Sequence, residues 1–241
     1  MNYIERVYRN KVSGNWLSSF QVIEKETDLH ISSDGDDLKD LAIKSIRSHR
    51  NVLEKYITNH SEFLTSLVPL PIDIMAPAIV KDMAKAVQLA GVGPMASVAG
   101  AISEYVGYDL LSKCSNVIVE NGGDIFIKLL EKEISVGIFA GKSSLSYKVA
   151  LKITPEETPL GICTSSATVG HSISFGTADA VCIKSKSALL ADAAATAVCN
   201  SIKCPGDMKT ALHKAFDIEG VLGVVIIVGN EMGACGDIEF V

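Results

Sequence analysis

The sequence has few aromatic residues and no long apolar run. Aromatic residues make up 6% of the 241 residues, with one tryptophan, so the core must be built from aliphatic side chains within the 48% of hydrophobic residues. Apolar stretches such as residues 221–228 fall short of the roughly 20 residues that span a bilayer. The first residues also lack the apolar segment of a secretion signal. We therefore expect a soluble protein of the cytoplasm with no membrane partner.

Basic clusters are missing as well. The net charge is −6, and the 22 lysine and arginine residues form no concentrated run. A nucleic-acid-binding surface needs clustered positive charge to neutralise phosphates. The sequence therefore predicts no nucleic-acid partner.

The six cysteines contain no CxxC pair, and they lie at positions 114, 163, 182, 199, 204 and 235. Without a secretion signal we expect reduced thiols, most of them packed as small hydrophobic side chains. A zinc site would need further ligands at suitable spacing, and none lie near Cys199 and Cys204. Cys163 adjoins a polar turn, so a reactive thiolate that carries sulfur is an alternative there.

The first half of the chain predicts strands followed by helices. Alternating apolar residues predict antiparallel strands near residues 3–8, 16–24 and 27–32. Asp34 or Asp36 is then the expected N-cap of a helix that ends near Asn59. Further helices are expected over about 79–90 and 95–105, with Pro94 in the first turn of the second one.

The second half reads as strands grouped in hairpins, with a helix over about 188–202, a short helix over 208–215 and a last strand in DIEFV at 237–241. Strands that arrive in hairpins indicate an α+β protein with largely antiparallel sheets packed with helices. We expect one domain over residues 1–241, and two lobes of about 1–115 and 116–241 are an alternative description.

Small residues line one side of the predicted helix 95–105, at Ala96, Gly100 and Ser103. They favour close packing of another backbone, although the free N–H groups at this helix N-terminus could instead hold an anion. Such smooth helices are also compatible with a homodimer.

Asp192 stands out because an acidic side chain in an alanine-rich helix is costly to bury without a partner. Thr196 follows one turn later on the same helical face. Together they could present two hard oxygens to Mg²⁺, with water or substrate phosphates as the other ligands. Alternatively, Thr196 bonds to its own helix and Asp192 meets water or a lysine.

Three other features carry polar groups suited to a ligand. The turn Asn121-Gly122-Gly123-Asp124 lets a ligand approach the backbone closely, and its glycines supply positive φ angles. The Thr164-Ser165-Ser166 turn offers hydroxyl and N–H groups to a phosphate or ribose. His171 could act as a general base, or it could be a structural residue.

In combination, the order NGGDI, then TSS and a histidine, then LLADAAATAV resembles the ApbE superfamily, whose flavin transferases move FMN from FAD onto protein threonines. The resemblance covers about residues 85–200 and implies an ApbE-like fold. It also implies Mg²⁺ ligands at Asp192 and Thr196, and a flavin or phosphate site formed by residues 121–124 with Ser165, Ser166 and the adjoining Thr164. His171 would then lie near the reacting phosphate, and FAD or FMN would be the cofactor.

The chain differs from the family pattern after the histidine, where SISFG at 172–176 replaces an Asp-Pro-Arg-Thr-Gly loop. These features resemble a cytoplasmic ApbE-like branch from archaea and anaerobic bacteria, some members of which are linked to sulfide-dependent homocysteine synthesis. The expected function is therefore binding of a flavin or other phosphate-bearing small molecule with Mg²⁺, including flavin or nucleotidyl transfer. An accessory role in sulfur assimilation and a non-catalytic binding or oligomeric role are the alternatives.

Overall fold

The computed structural model describes residues 16–168 and 176–241. The strand predicted at 3–8 lies outside these residues. An antiparallel sheet of eight strands forms the centre of the described part, and a separate two-stranded hairpin accompanies it. The order in the large sheet is β1 (Ser18–Glu24), β2 (Thr27–Ser33), β3 (Val117–Asn121), β4 (Asp124–Lys128), β7 (Leu160–Ser165), β8 (Ala180–Ser185), β9 (Val221–Val228) and β10 (Glu231–Gly236), and the hairpin consists of β5 (Ile134–Gly137) and β6 (Ala150–Ile153).

Helices cover one face of the sheet. They are α1 (Lys39–Asn59), α2 (Glu62–Thr65), α3 (Ala78–Ala90), α4 (Val98–Leu110), α5 (Ala188–Ser201) and α6 (Met208–Phe216). Strand β2 pairs with β3, so both halves of the chain contribute to the same sheet. The α+β class with antiparallel strands is thus confirmed.

Two apolar cores lie on opposite faces of the sheet. On the helix face, Phe126 and Ile183 pack with the alanines of α5. On the other face, Ile127 and Val225 pack with the β5–β6 hairpin, including Leu151. Both cores are predominantly aliphatic, as the scarcity of aromatic residues predicts.

The structure corrects the predicted start of α1. This helix begins at Lys39, and its N-cap residue is Leu38, which has no side-chain capping bond. Asp34 instead accepts hydrogen bonds from the backbone N–H groups of Ser115 (3.0 Å) and Asn116 (2.9 Å). Asp34 therefore caps backbone about 80 residues away and not the beginning of α1.

The last predicted strand is also corrected. The sequence GN at 229–230 forms the tight turn after β9, and β10 follows at once over Glu231–Gly236. Only Phe240 of the predicted strand 237–241 forms an isolated bridge, with Leu151. The sequence does not indicate β10, because its glycine and alanine residues have low strand propensity and the segment shows little alternation of apolar residues.

The helix predicted over 95–105 begins as a 3₁₀ turn at Pro94–Ser97 and continues as α4 to Leu110. Among the described residues, no single helix is both long and apolar enough to cross a membrane. By length and composition alone, one pair bent by 101°, Ala78–Ala90 with Pro94–Leu110, could do so.

Candidate functional site

The turn between β3 and β4 places Asn121 and Asp124 at one end of the sheet, on the face that the helices cover. Gly122 and Gly123 have φ angles of 70° and 116°, as the sequence predicted. The Glu120 carboxylate accepts the Gly123 N–H at 3.0 Å and so holds the turn. The Asn121 side chain donates to the Ala99 carbonyl at 3.1 Å, which ties the turn to the beginning of α4.

Asp192 reaches the same place from α5. Its carboxylate accepts the backbone N–H of Gly100 at 2.9 Å, and that of Ala99 as well. Among the described residues no lysine pairs with Asp192, and its carboxylate instead caps the N-terminus of α4. The N–H groups of Ala99 and Gly100, which could have held an external anion, are occupied by this carboxylate.

Asp124 and Asp192 form a carboxylate pair that is only partly exposed to solvent. Burial raises the pKa of Asp192 to about 7, and the N–H groups of Gly100 and Ala99 oppose that rise. Burial and then the charge of Asp192 raise the pKa of Asp124 well above its usual value. Within residues 16–168 and 176–241, neither carboxylate forms an ion pair with a basic side chain.

Cys163 lies beneath this carboxylate pair and is fully buried. It is the cross-strand partner of Asp124, and its Sγ donates to the Ala188 carbonyl at 3.3 Å. Burial, together with the charges of Asp124 and Asp192, raises the pKa of the thiol. The prediction of a reactive thiolate at Cys163 is therefore wrong, because the sulfur is inaccessible and its protonated form is favoured.

The Thr164-Ser165-Ser166 segment is divided between the two faces of the sheet, because side chains alternate along a strand. Ser165 is on the face of Cys163 and Asp124, where it is buried. Thr164 pairs with Cys182, whose side chain belongs to the core of the opposite face, so the Thr164 side chain does not join the site. The Thr164 backbone does lie at the site, because its N–H donates to the Gly123 carbonyl at 3.3 Å. The hydroxyl of Ser166 accepts the Thr168 N–H at 3.1 Å.

Thr196 lies one helical turn after Asp192 and is partly exposed. Among the described residues, no group of three or more His, Cys, Asp and Glu side chains could hold a metal ion. A cation at this place would therefore use the two carboxylates, a hydroxyl, and oxygens from water or a ligand. His171 lies outside the described residues, so its predicted role stays a prediction.

A cavity of about 610 Å³ reaches the β3–β4 turn at Asn121, although neither Asp124 nor Asp192 lines it. Ala99 and Asn121 line it where it meets the site. Arg50 lines its polar side and donates to Thr27 at 2.6 Å and to Glu54 at 2.9 Å. The rest of the lining is predominantly aliphatic, with Leu53, Ile57, Leu64, Met95, Val98 and Ile102.

The sequence did not indicate Arg50 or the backbone N–H groups of Ala99 and Gly100 as parts of the site. It did not indicate Glu104 either, whose carboxylate accepts the Ala188 N–H at the beginning of α5 at 2.5 Å. Glu104 carried a signal, because it is an acidic residue in a helix that is otherwise largely apolar, like Asp192. Arg50 lies among the polar residues of α1, and nothing in the local sequence distinguishes it.

The fold and the site define an α+β protein of the ApbE class. The flavinyl transferase ApbE of Pseudomonas stutzeri, in its apo form, superposes with a TM-score of 0.60 at 14% identity, covering 91% of this chain and 94% of that one. The ApbE protein of Thermotoga maritima gives a TM-score of 0.57 at 14% identity, with coverages of 90% and 96%. At this identity the likeness shows the fold.

The family follows from sequence. The family model described as AbpE bacteria matches residues 9–230. The chain is 45% identical over 218 residues to a UPF0280 protein of Methanococcus aeolicus, with 88% of each chain covered. It is 42% identical to a UPF0280 protein of Methanocaldococcus jannaschii, with 90% of each covered. The chain belongs to this AbpE family, and the predicted membership of the ApbE-like superfamily is confirmed.

Proposed function

We propose that this protein binds a phosphate-bearing small molecule together with Mg²⁺, and that the ligand is a flavin such as FAD or FMN. The observation that carries the proposal is the carboxylate pair of Asp124 and Asp192. Two carboxylates from different elements share one partly exposed place, and no basic side chain among the described residues compensates them. Such an arrangement is costly unless the pair binds protons or a cation.

The donor set suits Mg²⁺. The cation prefers oxygen ligands and retains water, so it is commonly held by one or two carboxylates plus substrate phosphates. Asp192 would contribute the oxygen that does not accept the Gly100 N–H, and Asp124 and Thr196 would supply further oxygens. Bound Mg²⁺ would stabilise negative charge on the phosphate oxygens.

The other residues would position the ligand. The glycine turn at 122–123 lets phosphate groups approach the backbone, and the Glu120 carboxylate keeps that turn in place. Ser165 and Ser166 would provide hydroxyl groups at the neighbouring strand end. The aliphatic wall of the 610 Å³ cavity would hold a flat, largely apolar ring system, with Asn121 between the ring and the phosphates.

The flavin assignment draws support from the printed names of the structural neighbours, such as the flavinyl transferase of P. stutzeri. Transfer of FMN from FAD is the finer part of the proposal, because fold alone does not fix a reaction. A role in sulfur assimilation stays a prediction, but a sulfur carrier at Cys163 does not fit the buried thiol.

The test is a thermal-shift and binding titration with Mg²⁺, FAD and FMN on the wild type, Asp192→Asn and Asp36→Asn. Asp36 is an exposed carboxylate before α1 and serves as the matched control. We expect Mg²⁺ and FAD together to raise the melting temperature of the wild type and of Asp36→Asn, and not that of Asp192→Asn.

Release of AMP from FAD, followed by chromatography, tests the transfer step separately. The absence of any wild-type response to Mg²⁺ with either flavin would overturn the binding proposal. Binding without release of AMP would overturn only the transferase part.

A further inference from the structure

Helices α4 and α5 cap each other. Asp192 of α5 accepts the Gly100 N–H at the beginning of α4. In return, Glu104 of α4 accepts the Ala188 N–H at 2.5 Å and the Ser187 hydroxyl at 3.2 Å, at the beginning of α5. Each carboxylate thus satisfies N–H groups that have no partner within their own helix, and each lies at the positive end of a helix dipole.

Close packing makes this exchange possible. A Cβ atom on Gly100 would lie 2.2 Å from the Ala188 carbonyl oxygen and 2.9 Å from the Asp192 Cβ atom. The backbones therefore touch between the two caps. Because Ala188 lies one turn before Asp192 on α5, the contact between Glu104 and Ala188 sets where Asp192 stands relative to α4.

We infer that Glu104 is a positioning residue for the carboxylate pair: by holding the first turn of α5, it keeps the Asp192 carboxylate on the Gly100 N–H and beside Asp124. Glu104 contacts neither carboxylate, so it acts through the helix. That Glu104 holds Asp192 in place does not depend on the proposed function. That Glu104 thereby supports Mg²⁺ binding, the metal-binding part of the inference, rests on the proposed function.

The Ser187 hydroxyl, which donates to Glu104, also accepts the Leu190 N–H at 3.4 Å, and we expect this local cap to persist when Glu104 is changed. Loss of Glu104 therefore leaves α5 formed but releases its beginning from α4. The Asp192 carboxylate then loses its fixed distance to Asp124.

The experiment compares Glu104→Ala, Glu104→Gln and Asp34→Ala with the wild type. Asp34 is the matched control, because it also caps distant backbone N–H groups, those of Ser115 and Asn116, but at the other end of β3. Two quantities are measured on each folded protein: Mg²⁺ affinity by calorimetry, and hydrogen exchange of the Gly100 amide by NMR.

We expect Glu104→Ala to weaken Mg²⁺ binding by about tenfold or more, the usual effect of removing a group that orients a metal ligand. It should also speed exchange of the Gly100 amide. Glu104→Gln should keep the Mg²⁺ affinity and the Gly100 exchange rate near their wild-type values, because its amide oxygen still accepts the Ala188 N–H. Asp34→Ala should lower the melting temperature and change neither quantity.

Unchanged Gly100 exchange in Glu104→Ala would overturn the inference, as would an equal change in Asp34→Ala. If the wild type binds no Mg²⁺, the proposed function fails, and Gly100 exchange alone decides whether Glu104 positions Asp192. If Mg²⁺ binds and Glu104→Ala binds it equally well, the metal-binding part of the inference fails while the proposed function stands.

Discussion

At the residue scale, some contacts of the site join residues that are close in sequence, and others join residues that are far apart. The turn at Gly122 and Gly123 could be predicted, because a tight turn between paired strands requires positive φ angles and glycine adopts them readily. The partner of Asp192 was not, since Gly100 lies 92 positions away. The prediction that the Thr164 side chain lies in the site conflicts with strand alternation, which places Ser165 and not Thr164 on the same face as Cys163.

The carboxylate pair makes stability depend on pH in the metal-free protein. Burial raises the pKa of Asp192 from 3.8 to about 7. The folded state therefore binds this proton more tightly than the unfolded state, so the resulting stabilisation is present at low pH and is lost as pH rises through about 7.

We expect the stability of wild type relative to Asp192→Asn to fall between about pH 5 and about pH 8. Urea unfolding of both proteins in the presence of a chelator at the two pH values measures this. A difference between the two proteins that stays constant across the range would contradict the assignment of the raised pKa.

At the element scale, the crossing of α4 and α5 was anticipated from small residues, and its function was not. Ala96, Gly100 and Ser103 predicted close packing in preference to an anion at the helix N-terminus, and the structure shows that packing at Gly100. Asp192 and Glu104 cap N–H groups on each other's helices, so local capping rules could identify only Ser187, which caps the Leu190 N–H of its own helix. The N-cap predicted for α1 is wrong because Asp34 instead accepts the N–H groups of Ser115 and Asn116, which lie far along the chain.

Gly100→Ala tests the crossing. In a helix that does not pack at this position, alanine is more favourable than glycine by about 1 kcal/mol. Here the added Cβ would meet the Ala188 backbone at 2.2 Å, so we expect the free energy of unfolding to fall by about 1–3 kcal/mol.

The matched control is Gly137→Ala in β5, where an added Cβ would meet nothing within 4 Å. That change should leave stability unchanged or raise it by about 0.5–1 kcal/mol. Denaturant unfolding of the two variants decides the point. Equal stabilisation by both would mean that α4 and α5 are not in backbone contact.

At the scale of the whole molecule, the order of the motifs carried more than any single one. The NGGD turn, the serine turn and the ADAAAT helix are separate elements, and their shared order indicated the fold before any contact was known. The cavity could not be predicted, because α1, α4 and the β3–β4 turn form its wall from residues 25–121. Nor could the second core, which depends on where the β5–β6 hairpin packs.

A buried lysine connects distant parts of the molecule. Lys184 in β8 is 2% exposed. It pairs with Glu157, which precedes β7, and with Asp237 after β10 at 2.9 Å. It also donates to the Asp237 carbonyl at 3.0 Å. One ammonium group thus fixes the C-terminal residues and the 155–157 turn against the sheet.

The two sides of this ion pair should respond unequally to mutation. Glu157→Gln leaves the buried Lys184 charge with Asp237 alone, so we expect a loss of about 2 kcal/mol, below the 3–5 kcal/mol of a completely broken buried pair. Lys184→Met removes the buried charge and leaves two carboxylates that solvent can reach, since Glu157 is 24% and Asp237 67% exposed. That variant should lose less than about 1 kcal/mol, because an aliphatic side chain of similar length fills the same space. Urea unfolding at neutral pH compares them, and a larger loss for Lys184→Met would show that the ion pair itself, and not the cost of an unpaired buried charge, stabilises this connection.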